Sequence, residues 1–212
     1  MKTLNVGIFI YHDVEVLDFA GPFEVFNVAN SVSQAKLFNV YLVAETEKVI
    51  FANGNFKVLP DYDFAEMPDA DILLIPGGPG RKQQMHQVPV LNWIKHEANQ
   101  ASLLLSVCTG AFILGNAGLL NHSGATTHYD SYQEFEEAFP KIRLIRDVKY
   151  ADQGKVITSG GITAGIDMCI RVIERIHGTS LARDVARRME YEMDWQVPAS
   201  AMDVADTHSL HL

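Results

Sequence analysis

The stretch Ala101-Ser-Leu-Leu-Leu-Ser-Val-Cys108-Thr109-Gly110-Ala111-Phe112-Ile-Leu-Gly115 is the point from which the rest of the chain can be read. Leu103 to Val107 is a short apolar run of the kind that makes a buried strand. It meets small residues at once, and Thr109 to Ala117 can then only be helix. A cysteine at that junction sits on a sharp turn, with its sulfur pushed out at the carboxyl end of a strand. Unpaired backbone N–H groups and the positive end of the helix dipole favour a thiolate there. This is the pattern of a nucleophile elbow with sulfur in place of a hydroxyl. A cysteine buried only for packing is the plainer reading, but packing alone does not require Thr-Gly-Ala directly after it. Cys108 is therefore predicted to be a low-pKa, oxidation-prone thiol.

Outward from this point, strand and helix signals alternate. Strands are expected at Leu4 to Ile10, Phe38 to Ala44, Asp71 to Ile75, Leu103 to Val107, Ala125 to His128, Lys141 to Tyr150 and Lys155 to Thr158. Helices are expected at Val16 to Ala29, Val90 to Asn99, Thr109 to Ala117, Tyr132 to Ala138, Ile166 to His177 and Leu181 to Tyr191. Pro22 is placed near the end of the first helix's first turn, where a missing N–H costs little. Val49 to Val58 reads as a hairpin around Asn53-Gly54, a favoured tight turn. The last two strands turn at Asp152-Gln153-Gly154. Such alternation implies a mostly parallel sheet with helices on both faces. No repeat or linker interrupts it, so residues 1–195 are expected to form a single domain, with 196–212 an irregular tail.

Composition narrows the function. The 212 residues carry a net charge of -9, and the isoelectric point is near 5.3. That balance argues against nucleic acid as a partner, since phosphate binding needs a basic surface. The first residues, Met-Lys-Thr-Leu-Asn-Val-Gly-Ile-Phe-Ile, read as a strand and lack a secretory cleavage site. No apolar run is long enough to span a membrane. The two cysteines, Cys108 and Cys169, make neither a disulfide framework nor a metal pair. A reducing cytoplasm is the expected setting. His208 and His211 lie in the unpatterned tail, and no metal is assigned. Cys169 lies among Met168, Ile170 and Val172 in a helix and is read as core.

Ligands of open α/β sheets bind at the carboxyl ends of the strands. Besides Cys108, two further strand ends carry suspicious residues. Pro76-Gly77-Gly78-Pro79-Gly80 follows the Asp71 to Ile75 strand, and the N–H of Gly78 with that of Thr109 is a candidate oxyanion hole. A phosphate loop is poorly supported, because no Gly-Lys-Ser/Thr follows. Asp18 lies among apolar residues just after the first strand. An aspartate so placed has its pKa raised and can hold or pass a proton. A helix cap is the alternative.

With these residues assembled, the chain resembles the ThiJ/PfpI superfamily, relatives of the class I glutamine amidotransferases. The resemblance runs from about Val6 to about Glu190. It rests on Asp18 with Gly21-Pro22-Phe23-Glu24-Val25-Phe26, then Pro76-Gly77-Gly78, then Val107-Cys108-Thr109-Gly110-Ala111. It continues through Ala125-Thr126-Thr127-His128 and Thr158-Ser159-Gly160-Gly161-Ile162-Thr163-Ala164-Gly165-Ile166-Asp167. These segments are most similar to the branch that holds isonitrile hydratase and the amidase-like sensor domains of AraC-type regulators. The resemblance implies a flavodoxin-like sandwich, a cysteine nucleophile at Cys108, an acidic partner at Asp18, a site shaped by Thr109 and a homodimer. Thr109 stands where the protease-like branch has histidine, which makes peptide hydrolysis through an adjacent Cys-His pair unfavoured. For His128, a catalytic base near the cysteine and a buried histidine bonded to a backbone carbonyl both remain open.

The expected activity is hydration of an isonitrile to an N-substituted formamide through a cysteine thioimidate, on a small-molecule substrate and with no cofactor. A glyoxalase-type hydratase acting on small dicarbonyls is a second reading. A non-catalytic AraC-like ligand sensor is a third, although the chain as given ends too soon after the sheet domain for a helix-turn-helix module.

Overall fold

The computed structural model describes residues 2–195; the expected tail, 196–212, lies outside the described residues. Its strands are β1 (Leu4–Phe9), β2 (Phe38–Ala44), β3 (Ile50–Ala52), β4 (Phe56–Val58), β5 (Tyr62–Asp63), β6 (Ile72–Ile75), β7 (Leu103–Ser106), β8 (Gly124–Ala125), β9 (Arg143–Leu144), β10 (Tyr150–Asp152) and β11 (Val156–Ser159). Its helices are α1 (Val16–Ser33), α2 (Arg81–Gln84), α3 (Val88–Gln100), α4 (Gly110–Asn116), α5 (Tyr132–Ala138), α6 (Ala164–His177) and α7 (Thr179–Arg188).

The main sheet has seven strands in the order β10-β11-β7-β6-β1-β2-β5. All its pairings are parallel except β10 with β11. The flavodoxin-like α/β fold expected from the sequence is therefore present. Its centre is apolar because both faces are covered: every residue of β6 is buried, as is every residue of β7. Helices α1, α6 and α7 pack together on one side, and α4 packs with α3 and against β6 and β7. In α6, the buried Ile166, Ile170 and Ile173 recur at helical spacing on the face turned to the core.

Three expectations need correction. The strand expected over Lys141 to Tyr150 is two elements. Arg143–Leu144 pairs parallel with β8, while Tyr150–Asp152 pairs antiparallel with β11. Asp147 between them has φ 58, which no continuous strand allows. Pro22 lies well inside α1 rather than in its first turn. Having no N–H, it cannot donate to the carbonyl of Asp18 four residues back. The strand expected at Ala125 to His128 stops at Ala125, and Thr126, Thr127 and His128 continue as irregular backbone toward the sheet's carboxyl edge. The β3–β4 hairpin forms as expected, turning through Asn53-Gly54-Asn55.

Candidate active site

Cys108 lies just past the end of β7, with φ 55, and is 7% exposed. A residue with a Cβ in that left-handed region is strained by about 1–3 kcal/mol and persists only where its surroundings hold it. Both ends of its backbone are held. Its N–H is shared between the carbonyls of Ser159 (3.2 Å) and Gly160 (3.0 Å), at the end of β11. Its carbonyl accepts the hydroxyl of buried Thr127 at 2.9 Å. This is the sharp strand-to-helix turn expected of an elbow, with α4 beginning at Gly110.

Asp18 lies in the first turn of α1 and is fully buried. Its Oδ2 accepts the N–H of Gly77 at 3.1 Å, while Oδ1 is buried without a conventional hydrogen-bond partner. Burial pushes its carboxyl up to about 7. The Gly77 N–H opposes this, Glu15 adds to it, and the Cys108 thiol and the Ile162 N–H oppose it more weakly. Asp18 is therefore not a solvated helix cap: the N-cap position of α1 is Glu15, and the Asp18 carboxylate accepts from Gly77 instead.

The expectation of a low-pKa thiol is overturned. Burial, and then the Asp18 carboxylate beside it, push the Cys108 thiol up to about 12. The backbone N–H and hydroxyl of Thr109 stabilise the thiolate, but they do not outweigh those two causes. Two acidic groups in one buried space titrate as a pair. Between about 7 and about 12 the pair holds one proton. That proton is shared between sulfur and carboxyl, and the tautomer with a thiolate beside a neutral carboxyl belongs to the same protonation state.

Thr109 adjoins the sulfur, and its Oγ1 accepts the N–H of Gly78 at 3.1 Å. The Gly78 amide thus supports Thr109 and reaches the pocket only as a shared donor. Gly78 has φ 120, and a Cβ there would sit 2.4 Å from the Glu15 nitrogen, so only glycine fits. His128 shares the pocket wall with Cys108, but no hydrogen bond joins them. Its Nδ1 accepts the N–H of Asp130 at 3.3 Å. Its ring packs so closely on Gly161 that a Cβ there would meet it at 2.1 Å. Its backbone partner is thus an N–H and not the carbonyl that one sequence reading allowed, and it stays on the pocket wall beside Cys108.

Cys108, Thr109, Gly78 and His128 line a cavity of about 390 Å³ at the carboxyl edge of the sheet, and the fully buried Asp18 lies behind Cys108, outside that lining. Sequence reasoning missed several of the cavity's walls. Arg81 is 4% exposed, lies 3.7 Å over the Phe112 ring and pairs with Glu134 at 2.5 Å. Its helix α2 is four polar residues long and carries no period to detect. Ile162, with φ 52, is a β-branched residue in the left-handed region, an outlier that no side-chain pattern signals. Glu15 and Lys82 complete the rim. Among the described residues no cluster of His, Cys, Asp and Glu forms a metal site. None of their helices is long and apolar enough to cross a membrane.

With fold and pocket established, comparison with known proteins places the chain. It belongs to the DJ-1/PfpI family, whose model matches residues 5–175. Isonitrile hydratase of Pseudomonas putida is 32% identical over 192 residues, covering 89% of this chain and 79% of that protein. The HTH-type transcriptional regulator GbdR of Pseudomonas aeruginosa is 26% identical over 89% of this chain, which spans only 51% of the regulator. The crystal structure of a ThiJ/PfpI family protein from Pseudomonas syringae superposes with a TM-score of 0.81 at 24% identity, covering 95% of this chain and 81% of the other. The family thus contains both enzymes and regulators.

Proposed function

We propose that this protein hydrates an isonitrile to an N-substituted formamide at Cys108. The observation that carries this reading is a buried carboxyl, raised to about 7, acting on a cysteine held on a strained elbow in an open pocket. A terminal isonitrile carbon needs both a nucleophile and a proton at one atom, and this pair supplies both.

In the first step the Cys108 thiolate attacks the isonitrile carbon while Asp18 protonates the same carbon. The new C–S and C–H bonds give a neutral thioimidate and leave Asp18 as carboxylate. Water then adds to that carbon. Asp18 takes the water's proton and passes it to nitrogen, giving a tetrahedral intermediate. As the C=O bond forms, the hydroxyl proton returns to Asp18 and the C–S bond breaks. Formamide leaves, and the thiolate and neutral carboxyl are restored. The N–H of Thr109 stabilises sulfur as it departs. No step calls on a metal or organic cofactor. We take the working unit to be a homodimer in the cytoplasm.

The test is the purified protein with cyclohexyl isonitrile, beside methylglyoxal for the dicarbonyl reading. Formation of N-cyclohexylformamide is the expected result. Turnover of methylglyoxal alone would replace the reading with a glyoxalase-type hydratase. Saturable isonitrile binding without turnover would replace it with a sensor.

A further inference from the structure

The hydrogen bond from Thr127 to the carbonyl of Cys108 is not used by the chemistry above, yet it acts on the peptide unit at the centre of the site. Thr127 is wholly buried, and its Oγ1 donates to that carbonyl at 2.9 Å. The peptide between Cys108 and Thr109 is planar and trans, with its C=O and N–H pointing in opposite directions. Holding the carbonyl therefore aims the N–H, and that N–H is the one that faces the Cys108 sulfur.

The carbonyl has no partner in the adjoining helix. The first turn of α4 closes from Gly110 to the Val107 carbonyl and from Phe112 to the Thr109 carbonyl, passing over Cys108. A hydrogen bond at the carbonyl end of an amide also polarises its N–H and makes it a better donor. We propose that Thr127 is a positioning residue: its hydroxyl fixes the Cys108–Thr109 peptide plane and so directs the Thr109 N–H at the nucleophile. This deepens the reading above, since it rests on Cys108 as nucleophile, but it can be tested without any isonitrile. It also gives Ala125-Thr126-Thr127-His128 a role carried by the threonine before the histidine.

The experiment compares Thr127→Val, which keeps the shape and removes the hydroxyl, with Thr127→Ser, which keeps the hydroxyl. Iodoacetamide alkylation of Cys108 is followed at pH 8 in each, with melting temperature as a control. The Thr109 amide is followed by ¹⁵N–¹H NMR. Losing one buried hydrogen bond to the peptide predicts alkylation about three- to tenfold slower in Thr127→Val, with the log-rate against pH line displaced to higher pH. The Thr109 amide proton should move upfield. Thr127→Ser should recover at least half of both effects. If Thr127→Val does not fold, Thr127→Ala is read in the same way.

Wild-type alkylation and an unmoved Thr109 amide in the hydroxyl-less variant would overturn the proposal. So would Thr127→Ser behaving like Thr127→Val, which would make the residue a packing element. Absence of isonitrile turnover would remove the hydratase reading and leave these outcomes unchanged. Where turnover is present, the loss should appear in kcat rather than KM.

Discussion

Cys108 and Cys169 are both free and both buried, and burial raises both thiols. Everything else about them differs. Cys169 lies inside α6, fully buried between Met168 and Ile170, and burial is the only cause acting on its thiol. Cys108 lies where a parallel strand stops, with a positive φ, a carboxyl acting on its sulfur and a cavity in front of it. Cys169 has burial alone, whereas Cys108 adds a strand end, where the backbone N–H groups and side chains of several neighbouring strands converge on one atom.

The most severe way to break this contrast is to exchange the residues that define it. Cys108→Ser should lose at least about four powers of ten in kcat/KM, since a serine hydroxyl at its ordinary pKa is a poor nucleophile. Cys169→Ala should keep wild-type turnover and lose about 1–2 kcal/mol of stability, as expected for a small core truncation. Steady-state kinetics with urea unfolding separates the two effects. Loss of activity in Cys169→Ala at unchanged stability would end the distinction.

Asp18→Asn comes next, with an expected fall of about two to four powers of ten in turnover, the range for losing a general acid. In the wild type, kcat/KM should rise with pH through about 7, as the pair passes from two protons to the reactive single-proton state. Asp18→Asn should lose that rise. Stability should move the other way. A carboxyl whose folded pKa is raised contributes stability that is complete below its unfolded pKa, near 4, and is lost as pH rises through about 7. Asp18→Asn should therefore match the wild type near pH 4 and exceed it by up to about 4 kcal/mol at pH 8. Equal unfolding free energies at pH 8 would mean that Asp18 is not held as a costly buried acid.

The contrast between the cysteines was legible in the sequence because it is written locally. Leu103 to Val107 is continuous apolar strand before Cys108, whereas Met168 to Val172 has helical spacing around Cys169. Asp18 stood out because its neighbours are apolar. What could not be read was distance and backbone sign. Ile162 and Asp147 carry positive φ, which side-chain patterns do not record, and Asp147 divides what looked like one strand. Arg81 is polar in sequence and becomes a buried wall only because Phe112 and Glu134 come to it from elsewhere in the chain. The sign of the Cys108 shift was misjudged for the same reason. The local turn suggested a stabilised thiolate, while burial and the carboxylate brought from α1 raise the thiol.

The smallest expected effect concerns His128, which shares a pocket with Cys108 yet has no bond to it. A histidine completing a triad would donate or accept at the sulfur, and its loss would cost two to four powers of ten, as for any general base (about 10²–10⁴). Here Nδ1 is occupied by the Asp130 N–H and the ring is wedged on Gly161. In His128→Asn, the new side-chain carbonyl could still accept from that N–H, as asparagine does in other local turns. The variant should thus keep the loop and lose only ring contact with substrate. A fall in kcat/KM of less than about tenfold is expected, carried by KM, with the pH rise through about 7 intact because Asp18 sets it. A hundredfold fall in kcat, or a displaced pH rise, would bring His128 into the proton path. The chemistry would then belong to three groups, and the contrast with Cys169 would rest on a histidine as well as on Asp18.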